Sequence, residues 1–181
     1  MKLVDELLPG ALLLEPDRFA DQRGAFVKTY HEEIWARLGL DFEMREEYYS
    51  TSHAGVIRGM HFQTPPHAHD KVVYCLSGRV QDVLLDLRPG ANFGRAVQTE
   101  LSAENRRILF IPAGIAHGFQ AREDSSLLVY KTSTVHAPES DRGIRWDSFG
   151  FDWANDNPVM SARDSGQPTL AQFDATVFGS Q

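Results

Sequence analysis

The stretch KVVYCLSGRVQDVLLDLRPG, residues 71 to 90, reads as two β-strands that meet at Ser-Gly and end at Pro-Gly. Val, Leu and Tyr fill both runs, and such branched and aromatic side chains suit a pleated surface. RRILFIPAG (106 to 114) and SSLLVYKTS (125 to 133) repeat the pattern. Short strands at that spacing predict an all-β fold, a barrel or a double-sheet jelly roll. HEEIWARLGL (31 to 40) is the one good helix, with Ile34, Trp35 and Leu38 on an apolar face and Gly39 as its C-terminal stop. With 181 residues, no repeat and no linker-like tract, the chain is expected to form a single domain over 1–181.

Charge and cysteine usage narrow the function. A net charge of −7 argues against a nucleic-acid partner, because binding the phosphate backbone needs an excess of Lys and Arg. A small anionic ligand still fits, since a few converging arginines suffice. A single cysteine, Cys75, excludes an internal disulfide framework and a cysteine-based zinc site, and it suits a reducing compartment. The opening run MKLVDELLPGALLLEP is broken at Pro9-Gly10, is too short to span a membrane and lacks the basic start of a signal peptide. Together these features predict a cytoplasmic protein with no membrane partner.

Side chains alternate across a strand, so His69, Lys71, Val73 and Cys75 share one face, as do Val80, Asp82 and Leu84 on the next strand. A lysine and an aspartate among apolar neighbours need a partner or a wet cavity. In a small barrel that cavity is the usual ligand site. Spacing alone equally allows Lys71 and Asp82 to point outward.

Just upstream, VIRGMHFQTPPHAH (56 to 69) carries His61, His67 and His69, three of the chain's seven histidines. Three readings compete: a metal site, a proton-transfer site, or a loop without chemistry. His67-Ala68-His69 with His117 of PAGIAH would offer three nitrogen ligands and open positions, at spacings that look like the metal motifs of the cupin superfamily. The glutamate that usually follows in metal cupins is absent, Val73 and Tyr74 standing in its place, and Lys71 would repel a cation.

The proton-transfer reading draws on more of the chain. FADQRGAFVKTY, GVIRGMHFQTPP, KVVYCLSGRVQDVLLDLR, IPAGIAHGF, LLVYKTSTVHAPESDRGIRWD and MSARDSGQP follow one another in a familiar order. From about residue 3 to residue 170 the chain resembles the dTDP-4-dehydrorhamnose 3,5-epimerases, metal-free cupins of the rhamnose pathway. The resemblance implies a cupin-type jelly roll that needs no cofactor and forms a homodimer with an exchanged N-terminal strand. It implies inversion of the carbons flanking the ketone of a nucleotide-linked 4-keto-6-deoxyhexose, which requires a base, an acid across the ring and a group that holds the enolate oxygen.

On this resemblance His61 is the base, Asp164 its carboxylate partner and Tyr130 the acid. Lys71 lies near the ketone with Asp82 as its charge partner, and Arg23 and Arg58 bind the diphosphate. His117 is a pocket residue, and Phe26, Gln63 and His69 are substrate contacts. Imidazole suits the base because its ordinary pKa lies near neutrality. Besides His69, which stands where glutamine is usual, four positions depart from the family pattern: Lys28 stands where glutamate is usual, Glu46 where glutamine is, Tyr48 where asparagine is, and His136 where a second tyrosine packs near the sugar. The first three bear on which nucleotide is recognised. His136 bears on whether C3, C5 or both are inverted. A metal-dependent cupin oxygenase and a sugar-nucleotide-binding cupin without catalysis are the alternatives from other classes.

Overall fold

A computed structural model describes residues 1–179; the last two positions of the expected domain, 180 and 181, lie outside the described residues. The strands in chain order are β1 (Lys2–Leu8), β2 (Ala11–Glu15), β3 (Arg18–Asp21), β4 (Gly24–Val27), β5 (Glu46–Ser52), β6 (Ile57–Gln63) and β7 (Lys71–Ser77). They continue with β8 (Arg79–Asp86), β9 (Ala96–Ser102), β10 (Ile108–Ile111), β11 (Ile115–Ala121), β12 (Ser126–Thr132) and β13 (Asp141–Gly143). Two short helices, α1 (Glu32–Arg37) and α2 (Ala162–Ser165), complete the regular elements apart from single 3-10 turns near the C-terminus.

The strands expected from Val, Leu and Tyr runs form as read, and they build two facing antiparallel sheets. One has the order β1-β2-β10-β7-β12-β5 and the other β13-β6-β11-β8-β9. Non-consecutive neighbours in both sheets make this the expected all-β, cupin-type jelly roll. Leu13, Val73, Leu84, Leu109, Phe119 and Leu128 fill the space between the sheets. Alternation along β7 and β8 carries Lys71 and Asp82 inward with them, at 7% and 0% exposure, so the outward orientation that spacing allowed is not the one adopted.

Each outer face has its own cover. Trp35 of α1 packs with Leu14, Phe42, Val72, Ile108 and Phe110 against the six-stranded sheet. The helix is shorter than the expected stretch 31–40 and ends in a Schellman arrangement, Leu40 N–H donating to Trp35 O and Gly39 N–H to Ala36 O, both at 3.0 Å. Gly39 takes φ +75°, a conformation open to glycine at little cost. The chain after β13 covers the other sheet, with Trp153 buried among Ile57, Phe62, Val83, Leu85 and Ile144.

One irregularity positions the interior. Between β6 and β11, His61 is paired with His117 and Arg58 with Phe119, so β6 holds one more residue than β11 across this step. Arg58 and His61, three apart, would face opposite sides of a regular strand; the bulge turns both inward. The strands approach so closely there that a Cβ on Gly59 would lie 2.5 Å from Gly118 Cα, and a Cβ on Gly118 would lie 2.6 Å from Met60 Sδ and 3.0 Å from Arg58 O. Among the described residues no helix is long and apolar enough to cross a membrane. Gly118→Ala is expected to force these strands apart, lowering the stability measured by urea unfolding by about 2–4 kcal/mol. An unchanged unfolding midpoint would show that the close approach is dispensable.

Candidate active site

Between the two sheets, two cavities of about 320 and 200 Å³ adjoin and share Tyr48, His61 and Lys71 as walls. Gln63, His69, Glu46, His136 and Asp141 line the first, and Ser50, Arg58, His117, Phe119 and Tyr130 the second. A larger groove of about 670 Å³ runs along β8 and β9, but there Arg79 pairs with Glu100 and Glu123. Convergence of titratable groups, rather than volume, marks the site.

His61 projects from β6 beside the bulge, and its Nε2 lies 2.7 Å from Asp164 Oδ1. Asp164 sits in α2, whose first turn is fixed by Ser161 Oγ accepting the Asp164 N–H at 3.0 Å. Burial works to raise the Asp164 carboxyl, but the hydrogen bond and charge of His61, the Gly59 N–H and the Arg163 charge outweigh it. The group therefore lies below the usual carboxylate range. A carboxylate there accepts the Nε2–H and leaves the lone pair of Nδ1 free to take a proton.

Lys71 has the site's most costly position. Burial pushes its ammonium down to about 8, with Asp82 and Asp141 resisting. Asp82 spends its hydrogen bond on His117 rather than on Lys71, since His117 Nε2 lies 2.8 Å from Asp82 Oδ2 with both side chains buried. Lys71 thus feels the charge of the Asp82 carboxylate without a direct salt bridge to it. Burial holds His117 below the ordinary imidazole range despite Asp82. Burial and the Lys71 charge hold His69 down to about 3, so its ring stays neutral. His69 Nδ1 receives the amide of Gln63 at 3.1 Å, which places its proton on Nε2.

Across the cavity stands Tyr130. It faces inward because its neighbours on β12 and β7 alternate in register, Tyr130 opposite Val73 and Thr132 opposite Lys71. Burial raises its hydroxyl well above the ordinary phenol value, so it keeps its proton, and Ser50 Oγ lies 3.1 Å away. Tyr48, directly opposite on β5, stacks on it with ring centroids 4.9 Å apart. Burial pushes Tyr48 up to about 12. Arg58 is aimed into the same cavity by two bonds at 3.0 Å, to Ser52 Oγ and Thr51 O.

The structure therefore brings together His61, Asp164, Lys71, Tyr130, Arg58, Gln63, His69, Asp82, His117, Glu46, Tyr48 and His136. Arg23, Phe26 and Lys28 are not among them. Among the described residues the hairpin β3–β4 pairs only with itself, Phe19 and Phe26 are 63% and 61% exposed, and Arg23 is tied to Asp21 at 2.6 Å. Within one chain this hairpin reaches neither cavity. His67 lines neither cavity, and its Nδ1 lies 3.0 Å from Ser140 Oγ. Among the described residues no three His, Cys, Asp or Glu side chains are arranged to hold a metal ion, so His67, His69 and His117 do not form the alternative ligand set. Cys75 is buried and pushed up to about 11 by that burial, which leaves its thiol inert.

Sequence reasoning passed over Asp141 and Arg163, which line the cavity mouth, and Ser50, which holds Tyr130. Asp141 lies in ESDRGIRW and Arg163 beside Asp164 in SARDSG, so both sat inside motifs already singled out.

The chain is similar to known proteins over nearly its whole length. The family model described as dTDP-4-dehydrorhamnose 3,5-epimerase matches residues 5–172. The dTDP-4-dehydrorhamnose 3,5-epimerase of Shigella flexneri is 38% identical over 168 residues, covering 91% of this chain and 93% of that one. A dTDP-6-deoxy-D-glucose-3,5-epimerase from Legionella pneumophila, solved in complex with dTDP-4-keto-L-rhamnose, superposes with a TM-score of 0.91 at 29% identity, covering 97% of this chain and 96% of that one. A 3'-monoepimerase from Streptomyces bikiniensis, solved with dTDP-quinovose, gives 0.84 at 30% identity, covering 90% and 84%. Motif order, jelly-roll fold and these likenesses agree: the chain belongs to the dTDP-4-dehydrorhamnose 3,5-epimerase family.

Proposed function

We propose that the protein epimerises a dTDP-linked 4-keto-6-deoxyhexose in deoxysugar biosynthesis, with His61 as base, Tyr130 as acid and Lys71 at the ketone oxygen. One observation carries this reading: a histidine–carboxylate dyad and a protonated tyrosine line the same cavity, with a buried ammonium beside both. His61 Nδ1 takes the proton next to the ketone, and Asp164 stabilises the imidazolium that results. The electrons move to the ketone oxygen, where the Lys71 cation, undiluted by solvent, stabilises the enolate. Tyr130 then returns a proton to the opposite face. An enolate carbon is basic enough to draw the proton from a phenol whose acidity burial has lowered. Arg58 holds the diphosphate, its planar donors suiting phosphate oxygens. Gln63, His69 and His117 are neutral groups that shape the sugar pocket.

The nucleotide end of the substrate needs more than one chain supplies. Arg23, Phe26 and Lys28 stand on or just after an exposed hairpin, and exposed aromatic rings in a protruding element fit an exchange between copies. In the homodimer this hairpin closes over the partner's cavity, Arg23 on the diphosphate and Phe26 on the base. Glu46 and Tyr48 contribute less to base recognition than their positions in sequence implied, because Glu46 anchors His136 and Tyr48 stacks on Tyr130.

The two proton roles separate experimentally. His61→Asn should abolish both deuterium uptake from solvent and inversion. Tyr130→Phe keeps the packing, so it should still exchange while inversion falls about 10²-fold or more. Proton NMR of the dTDP-linked 4-keto sugar in deuterated water reads both; parallel loss in Tyr130→Phe would place the acid elsewhere.

Lys71 gives activity and stability opposite pH dependences. Its folded pKa, about 8, lies below the ordinary 10.5, so the native state binds fewer protons between those values. Its contribution to stability therefore rises with pH across that window, while kcat/KM falls as the ammonium is lost. Lys71→Met should be inactive yet more stable by about 1–3 kcal/mol in denaturant titrations. A Lys71→Met variant that unfolds more easily would contradict this account.

Exchange of the hairpin predicts complementation. Arg23→Ala and His61→Asn should each be nearly inactive alone, while mixing and re-forming the dimers should restore about a quarter of wild-type turnover, one intact site in half of the dimers. No recovery on mixing, with dimers verified by size, would confine each site to a single chain.

A further inference from the structure

The mouth of the cavity holds a second imidazole on a second carboxylate. His136 Nε2 lies 3.3 Å from Asp141 Oδ2, and that carboxylate oxygen also takes Arg163 Nη2 at 2.6 Å. The backbone carrying the ring is held as firmly. The His136 N–H donates to Glu46 Oε2 at 2.6 Å, and Gln63 grips the peptides on either side, donating to Val135 O at 3.4 Å and accepting from Ala137 N at 2.7 Å. Side chains from β5, β6 and β13 thus hold the backbone and ring of His136, with Arg163 of α2 bracing Asp141, although the ring is itself 57% exposed. A surface histidine without a task needs no such support, whereas groups that transfer protons must be held in place.

The reaction supplies a task. Inverting both carbons that flank a ketone requires a proton delivered to each, on the face opposite the base. Tyr130 serves one of them, but Ser50 and the stacked Tyr48 hold its hydroxyl at one end of the site. His136 lines the other part of the cavity, together with His61 and Lys71.

We propose that His136, supported by Asp141, is the second proton donor, serving the flanking carbon that Tyr130 does not reach. With Nε2–H directed at Asp141, Nδ1–H is the bond that breaks and a C–H bond forms on the enolate. The imidazolium becomes neutral as the enolate becomes ketone. Water at the open mouth reprotonates Nδ1, and His61 returns its proton to solvent, so charge and protons balance over the cycle. The charged groups around the ring are Asp141, Glu46 and Arg163, with Lys71 in the same wall beside neutral His69 and Tyr48. Asp141, bound to the ring, offsets the positive charge that the donor carries before the step.

This inference rests on the proposed epimerase activity, and its test separates the two. The dTDP-linked 4-keto-6-deoxy sugar is incubated in deuterated water with wild type, His136→Phe, His136→Tyr and Asp141→Asn, and NMR follows configuration at C3 and C5 separately. His136→Phe should slow inversion at one carbon about tenfold or more and leave the other within about twofold. His136→Tyr, which restores a donor, should recover much of that loss, and Asp141→Asn should show a smaller loss at the same carbon. Equal losses at both carbons, no loss at either, or a wild type that inverts only one carbon would overturn the second donor while leaving the epimerase reading intact. A wild type that exchanges hydrogen at neither carbon would overturn both.

Discussion

The site depends on two glycines passing within van der Waals distance of each other. Where Gly59 of β6 meets Gly118 of β11, no side chain separates the strands, and one extra residue fits into β6. That bulge turns Arg58 and His61 to the same interior, and it leaves Met60 outside among apolar neighbours. The Gly59 N–H meanwhile reaches Asp164 Oδ2 at 3.4 Å, so the same turn of backbone that aims the histidine also helps seat its carboxylate. A regular strand would turn either Arg58 or His61 away from the cavity.

Electrostatics in the barrel follow from a single buried cation. Burying Lys71 is unfavourable, and the cavity offers it fields in place of a direct salt bridge, from Asp82 and Asp141. Its charge, added to burial, holds His69 and His117 below the ordinary imidazole range. Tyr130 stays protonated by burial. The walls thus combine a buried ammonium, neutral donors and the His61–Asp164 dyad. The stability given up at Lys71 is of the kind that functional sites commonly carry.

The two ends of the cavity are built differently. Around Tyr130 the walls are strand residues fixed by register, whereas His136 lies in the loop before β13 and is held through side chains from four elements. The hairpin β3–β4 forms a two-stranded sheet of its own among the described residues, with Phe19 and Phe26 largely exposed.

Much of this was legible in the residues alone. Val, Leu and Tyr runs closed by Gly marked the strands, because β-propensity and turn chemistry act locally; β7, β8, β10 and β12 formed where those runs stood. Period-two alternation placed Lys71 and Asp82 on faces with Val73 and Leu84, and motif order identified the family. Tertiary structure alone decided the rest. Alternation cannot tell which face of a strand is the inside, and only the opposing sheet made that face a cavity. Nor can spacing show that Asp82 bonds His117, that a bulge reunites Arg58 with His61, or that Asp141 and Arg163 meet at His136, since each contact joins residues far apart in the chain or breaks the regular period. Arg23 and Phe26 carry the same limit outward: local sequence makes their hairpin, while what it covers depends on surfaces that local sequence does not contain.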